Sequence, residues 1–142
     1  MTDEQIALVK RTWKIFREID PALIGDVFYS KLFIEVPQVK HLFKTSRDIQ
    51  SKKLVEMLST IVGRLDRLDE LTEDIKQLAL RHVDYGVKAS HYREVGAALL
   101  WMLQQGLGAD WNKDVEAAWE ACYQTLATTM IKAAGYARQD VT

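Results

Sequence analysis

The residue best placed to do chemistry in this chain is His82. It lies in the stretch 72–85, where Ile75, Leu78, Ala79, His82 and Tyr85 recur at spacings of three and four and form one helical stripe. An imidazole on the apolar face of a helix is either a buried hydrogen-bonding group or a metal ligand. The other two histidines have different settings. His41 precedes a polar corner and His91 follows Ser90, so both are expected at helix ends with access to water. Two further polar groups lie on apolar stripes: Tyr29 among Ile24, Gly25, Phe28, Leu32 and Phe33, and Gln50 at the head of Leu54, Met57, Leu58, Ile61, Leu65 and Leu68. Taken singly, Tyr29 reads as a core aromatic whose hydroxyl finds a partner, Gln50 as an exposed first-turn amide and Phe43 as an ordinary core ring. Gly25, one turn before Tyr29, and Ser51, beside Gln50, are small enough to let their two helices approach closely.

The elements that must carry these groups are helices, seven or eight of them with short connections. Thr2 and Gln5 form a capping box ahead of a first helix that turns Ile6, Val9, Trp13 and Phe16 inward. Asp20-Pro21 opens the Tyr29 helix as an N-cap followed by a proline at the first helical position. Pro37 starts a short element ending at Leu42-Phe43, and Lys44 to Asp48 forms a polar corner. The Gln50 stripe runs unbroken to Leu68, a charged connection from Asp66 to Glu70 follows, and the His82 helix closes near Gly86. Ser90 is expected to cap a long helix with Tyr92, Val95, Leu99 and Met102 inward, stopped around Gly106 and Gly108. Asp110 or Asn112 starts the last helix, which buries Val115, Trp119, Cys122, Leu126, Met130 and Ala133.

Composition narrows the function classes. The chain has 142 residues, 48% of them hydrophobic, which suits one domain over 1–142 with a real core. A net charge of −1 argues against a nucleic-acid footprint or a polybasic membrane anchor. The acidic, polar start at Met1-Thr2-Asp3-Glu4-Gln5 is unlike a targeting segment, and no apolar run approaches the ~18 residues of a membrane span. The one cysteine, Cys122, cannot form an internal disulfide, in keeping with a cytoplasmic protein, and its place on a buried stripe predicts an inert thiol. Trp13, Trp101, Trp111 and Trp119 read as packing residues. There is no paired-cysteine zinc spacing, and Gly106-Leu107-Gly108 meets Trp111 where a dinucleotide fingerprint needs its third glycine.

The set Tyr29, Phe43, Gln50, His82, in that order and at those separations, resembles a globin haem pocket, and more narrowly that of single-domain bacterial globins and the haem domain of flavohaemoglobins. The resemblance covers almost the whole chain and implies an all-α globin fold around haem b. It makes His82, in Leu78-Ala79-Leu80-Arg81-His82, the axial imidazole, with Tyr29 and Gln50 the distal donors. Leu54 then packs over the iron, Phe43 wedges against the porphyrin, and Leu78, Val87, Tyr92 and Val95 form walls. Lys53 and Arg81 could pair with the propionates, against the simpler reading that they are solvated charges.

The same resemblance implies a function. Donors aimed at the partly negative outer atom of bound O2 would each stabilise it by about 1.5–3 kcal/mol, together a hundredfold or more in retention. That retention disfavours easy oxygen transport and favours scavenging, sensing or reaction with nitric oxide. Three hypotheses result: a globin reversibly binding O2 and other diatomic gases, a nitric oxide dioxygenase served by a separate reductase, and a haem-free sensor or interaction module. Flavohaemoglobins carry a fused reductase, for which a chain ending at Thr142 leaves no room, so turnover would need an outside electron donor. They also hold the proximal histidine through a tyrosine and a glutamate. Tyr92 matches the tyrosine, but the glutamate's place falls on Ala134, which weakens electron donation by the imidazole. No oligomeric state is implied.

Overall fold

The structure, a computed structural model, describes residues 1–43, 45–84 and 87–135. Among them are six α-helices, α1 (Asp3–Phe16), α2 (Pro21–Glu35), α3 (Arg47–Gly63), α4 (Thr72–Asp84), α5 (His91–Leu107) and α6 (Lys113–Ala134), with 3-10 segments after α2, α3 and α5. The expected Lys44, Tyr85 and Gly86 positions lie outside the described residues.

Local signals account for most boundaries. The Thr2/Gln5 capping box closes in both directions, with Thr2 Oγ1 accepting from the Gln5 N–H at 3.1 Å and Gln5 Oε1 from the Thr2 N–H at 3.0 Å. Asp20 accepts from the Ala22 N–H ahead of Pro21. Asn112, rather than Asp110, caps α6, accepting from the Val115 N–H at 2.9 Å. Gly108 at φ +51° ends α5 and Gly135 at φ +70° closes α6, left-handed positions that suit glycine.

Three expectations are corrected. The Gln50 stripe does not continue as one α-helix to Leu68. α3 stops at Gly63, and a 3-10 segment, Leu65–Leu71, follows with a kink at Arg67. Leu65, Leu68 and Leu71 recur every third residue, the repeat of a 3-10 helix, so they stay core-facing while Asp66 pairs with Lys10 at 2.9 Å and Glu70 with Arg64 at 3.0 Å outside. Ser90 adopts helical dihedrals and makes no side-chain cap, because an N-cap hydroxyl needs extended backbone to reach back; the ring of His91 accepts the Lys88 N–H instead, at 3.0 Å. Trp101 is 40% exposed, on the solvent side of α5, with the Lys31 ammonium 4.6 Å above its ring.

α2 is the hub of the packing, lying against α3 and α5, while α6 spans the molecule to meet both α1 and α4. The larger core joins α1, α2, α3, α5 and the first half of α6. Trp13 packs there on Phe16 and Trp119, and the Trp119 N–H donates to Thr12 Oγ1 at 2.9 Å. A second core joins Ile75 and Ala79 of α4 to Tyr92 of α5 and to Leu126, Ala127 and Met130 of α6.

Candidate functional site

The α2–α3 contact sets the depth of the candidate site. A Cβ on Gly25 would lie 1.6 Å from Ser51 Oγ, so the two backbones approach as only a glycine allows. Ser51 is buried and turns its hydroxyl back to the Arg47 carbonyl at 2.8 Å, so no polar atom is stranded by the close approach. One helical turn after Gly25, Tyr29 is 4% exposed and enclosed by rings. Phe28 and Phe43 meet it edge-on, with centroids at 4.9 and 5.3 Å, and Phe33 stacks at 5.9 Å. Burial pushes the phenol up to about 12 against a smaller opposing pull from Arg47, so at neutral pH it is a proton-bearing donor.

Tyr29, Phe43 and Gln50 line one cavity of about 200 Å³, together with Phe33, Lys40, Thr45 and Arg47. That is far above the ~10–15 Å³ that admits one water. The Gln50 amide is half-buried and donates to the Thr45 hydroxyl. A carboxamide has two N–H donors and a carbonyl, so this bond anchors one donor and leaves the group able to offer another. Phe43 also lines a second, apolar cavity of about 20 Å³, walled by Leu32, Val36, Val87 and Val95 among others. Phe43 is thus shared by a polar chamber and an apolar one.

His82 is half-buried on α4, and its Nδ1 lies 2.8 Å from the Leu78 carbonyl. A carbonyl only accepts, so Nδ1 carries the proton and the neutral ring has its lone pair on Nε2. Burial holds the imidazole below its ordinary range, opposed by the Leu78 bond and helped by Arg81, so the neutral form is favoured. The His82 carbonyl accepts from the N–H of Val87, a wall residue of the apolar cavity, at 3.0 Å. A neutral imidazole whose Nδ1–H is fixed by a carbonyl is the arrangement of a metal-ligating histidine. The structure thus brings Tyr29, Phe43 and Gln50 to one cavity, while His82 lines neither cavity; by type, a neutral imidazole and two neutral hydrogen-bond donors are groups that could hold haem and a gas bound to it.

The remaining predicted residues divide. Val87 and Val95 line the apolar cavity, and Leu54 packs partly buried on the larger core. Leu78, also half-buried, supplies the carbonyl for His82, and Tyr92 is buried in the second core. The Tyr123 hydroxyl donates to the Tyr92 carbonyl at 2.5 Å, and Ala134 packs on the same cluster, where a methyl offers no acceptor. Lys53 and Arg81 are exposed and line neither cavity. The cations that do line the polar cavity, Lys40 and Arg47, were missed along with Thr45. Thr45 and Arg47 fall in the polar corner and Lys40 in the short segment before it, where no periodicity marks a side chain as inward. Cys122 is buried, and its thiol is pushed up to about 12 by burial, in line with an inert group. No group of three or more His, Cys, Asp and Glu side chains that could hold a metal occurs among the described residues, and no described helix is long and apolar enough to cross a membrane.

A family model described as Globin matches residues 26–130. A flavohaemoprotein of Vibrio cholerae is 32% identical over 140 residues, a match covering 95% of this chain and 35% of that protein. A globin-like protein of Aquifex aeolicus is 32% identical over 131 residues, covering 92% of each. Among solved structures, a bacterial globin from Campylobacter jejuni superposes with a TM-score of 0.83 at 26% identity, covering 97% of this chain and 99% of that one. The chain spans about a third of the length of the flavohaemoproteins it matches.

Proposed function

This chain belongs to the globin family and has its all-helical fold, and on that premise we propose that it binds haem b through His82 and takes up O2 and other diatomic gases beside Tyr29 and Gln50. The observation that carries the reading is the His82 Nδ1 to Leu78 bond, which leaves Nε2 unprotonated on a half-buried ring. When bound, haem supplies an iron that takes up diatomic gases and draws partial negative charge onto them. The chain's own residues then have distinct tasks. His82 presents Nε2, and the Leu78 carbonyl fixes its tautomer and ring orientation. Phe43 and the apolar walls at Val87 and Val95 exclude water. Tyr29, kept protonated by burial, donates to the gas, and Gln50 adds a second donor from the same cavity.

The optical spectrum of haem-supplied protein in ferric, ferrous and oxygenated states is the test. A Soret band that His82→Ala abolishes supports the assignment. A purified, haem-supplied protein without that band would return the chain to a haem-free interaction or sensing role, and full retention in the variant would move the axial ligand elsewhere.

Catalysis of nitric oxide dioxygenation is the second reading, favoured by the likeness to flavohaemoproteins and by Tyr29 and Gln50 sharing one cavity. It requires a reductase, which this reading places in the cytoplasm, to restore the ferrous state. Where the resemblance expects a glutamate, Ala134 carries a methyl, which favours gas binding over fast turnover. Mixing oxygenated protein with nitric oxide and a reductase decides. Many turnovers establish an enzyme, whereas a single stoichiometric reaction leaves a binding protein.

A further inference from the structure

The polar cavity has a cationic rim that the gas-binding reading does not use. Its floor is the buried Tyr29 phenol and its rim is Lys40, Thr45 and Arg47, all exposed. Two of those rim groups are cations. Asp26 approaches Arg47 at 3.5 Å, but both side chains are largely solvated, so the pair is weak and leaves the rim net positive. The guanidinium also lies 5.8 Å over the Phe33 ring, another wall of the cavity, which holds the charge at the opening. Neutral diatomic gases gain little from such a rim.

We propose that this opening between α2 and α3 is a cationic side entrance that draws small monovalent oxyanions, of the nitrite class, past Lys40 and Arg47 to the donors Thr45, Gln50 and Tyr29. Arg47 lines the same cavity as the buried Tyr29 phenol, so its charge acts across the space between rim and floor. An anion on this path leaves water for hydroxyl and amide donors while the two cations offset its charge, the pairing that a buried anion requires. Low-dielectric walls focus the field of the rim and raise the local anion concentration. The proposal rests on the haem reading only for its optical readout.

The experiment follows association of nitrite with ferric haem-loaded protein and of carbon monoxide with the ferrous form by stopped flow, comparing wild type with Lys40→Glu/Arg47→Glu and with the milder Lys40→Gln/Arg47→Gln. Both positions are exposed, and an unchanged Soret band confirms intact protein. Expected are a roughly tenfold or larger slowing of nitrite by the charge reversal at low ionic strength, a smaller slowing by the neutral pair, and convergence of all three near 1 M salt, where the screening length is about 3 Å. Carbon monoxide should stay within about twofold, the neutral-ligand baseline. An unchanged nitrite rate, or equal slowing of nitrite and carbon monoxide, overturns the cationic entrance while leaving the haem reading standing. If no Soret band forms, the haem reading fails by itself. Nitrite titration of the haem-free protein, monitored at the Thr45 and Gln50 amide resonances, then tests the entrance, and absence of saturable shifts overturns it.

Discussion

Gly25 and Ser51 occupy a single close contact between α2 and α3, with room for a hydrogen at position 25 and none for a methyl. The contact brings the Tyr29 helix and the Gln50 helix together one turn before Tyr29 and one residue after Gln50. Gly25→Ala is expected to cost about 1–3 kcal/mol by overpacking, measured as a lowered urea midpoint. Ser51→Gly removes both the Oγ and the Cβ that the new methyl would meet, at 1.6 and 2.4 Å. The double variant should therefore be more stable than the sum of the two single losses predicts. Strict additivity would mean that the helices do not meet at these residues.

The two halves of the larger core are joined by a polar link whose loss should be costly. Trp119 donates to Thr12 Oγ1, and Thr12 donates in turn to the Leu8 carbonyl at 2.8 Å, with Val9 at 3.2 Å. Thr12→Val preserves shape but strands a buried indole N–H, with an expected loss of about 1–3 kcal/mol. Thr12→Ser keeps the hydroxyl and should lose less than half as much. Equal losses in equilibrium denaturation would assign the effect to the methyl and not to the bond.

Alkaline stability carries a signature of the buried acids. The Cys122 thiol moves from an ordinary 9.0 to about 12, and the Tyr29 phenol from 10.0 to about 12, in both cases through burial. Above those ordinary values the unfolded chain releases protons that the folded chain retains, so stability is fully present below about pH 9 and is lost as pH rises toward 12. Cys122→Ala should delay the onset by removing the group that ionises first in the unfolded chain. An alkaline limb identical to wild type in urea titrations would show that the thiol meets solvent in the folded protein.

Ligand retention should depend on the one phenol at the cavity floor. Tyr29→Phe keeps the ring contacts with Phe28, Phe33 and Phe43 and removes only the donor. O2 dissociation is expected to quicken roughly tenfold or more, the value of one hydrogen bond to a partly charged acceptor. An unchanged dissociation rate after rapid mixing would take Tyr29 off the ligand.

The helices and their inward faces were legible in the sequence because amphipathic period and capping chemistry are local. Thr2 with Gln5, Asp20 with Pro21 and Asn112 act within one turn of chain. The half-buried place of His82 on its stripe, and the closeness that Gly25 and Ser51 permit, could likewise be inferred from spacing and size. Other features had no local signal. The break after Gly63 keeps Leu65, Leu68 and Leu71 on the same side under either helical repeat, so the hydrophobic pattern alone could not reveal it.

The cavity belongs to the tertiary structure. Lys40 lies in the short segment after α2, and Thr45 and Arg47 in the aperiodic polar corner beyond it; they become the rim of a chamber only because α2 and α3 meet at Gly25 and leave space beyond Tyr29. Sequence determined which groups could donate, ligate or pack, since those properties reside in side chains and in helical period. Which of them face one another was decided by the packing of helices far apart in the chain, since the period along one helix does not define the space between two.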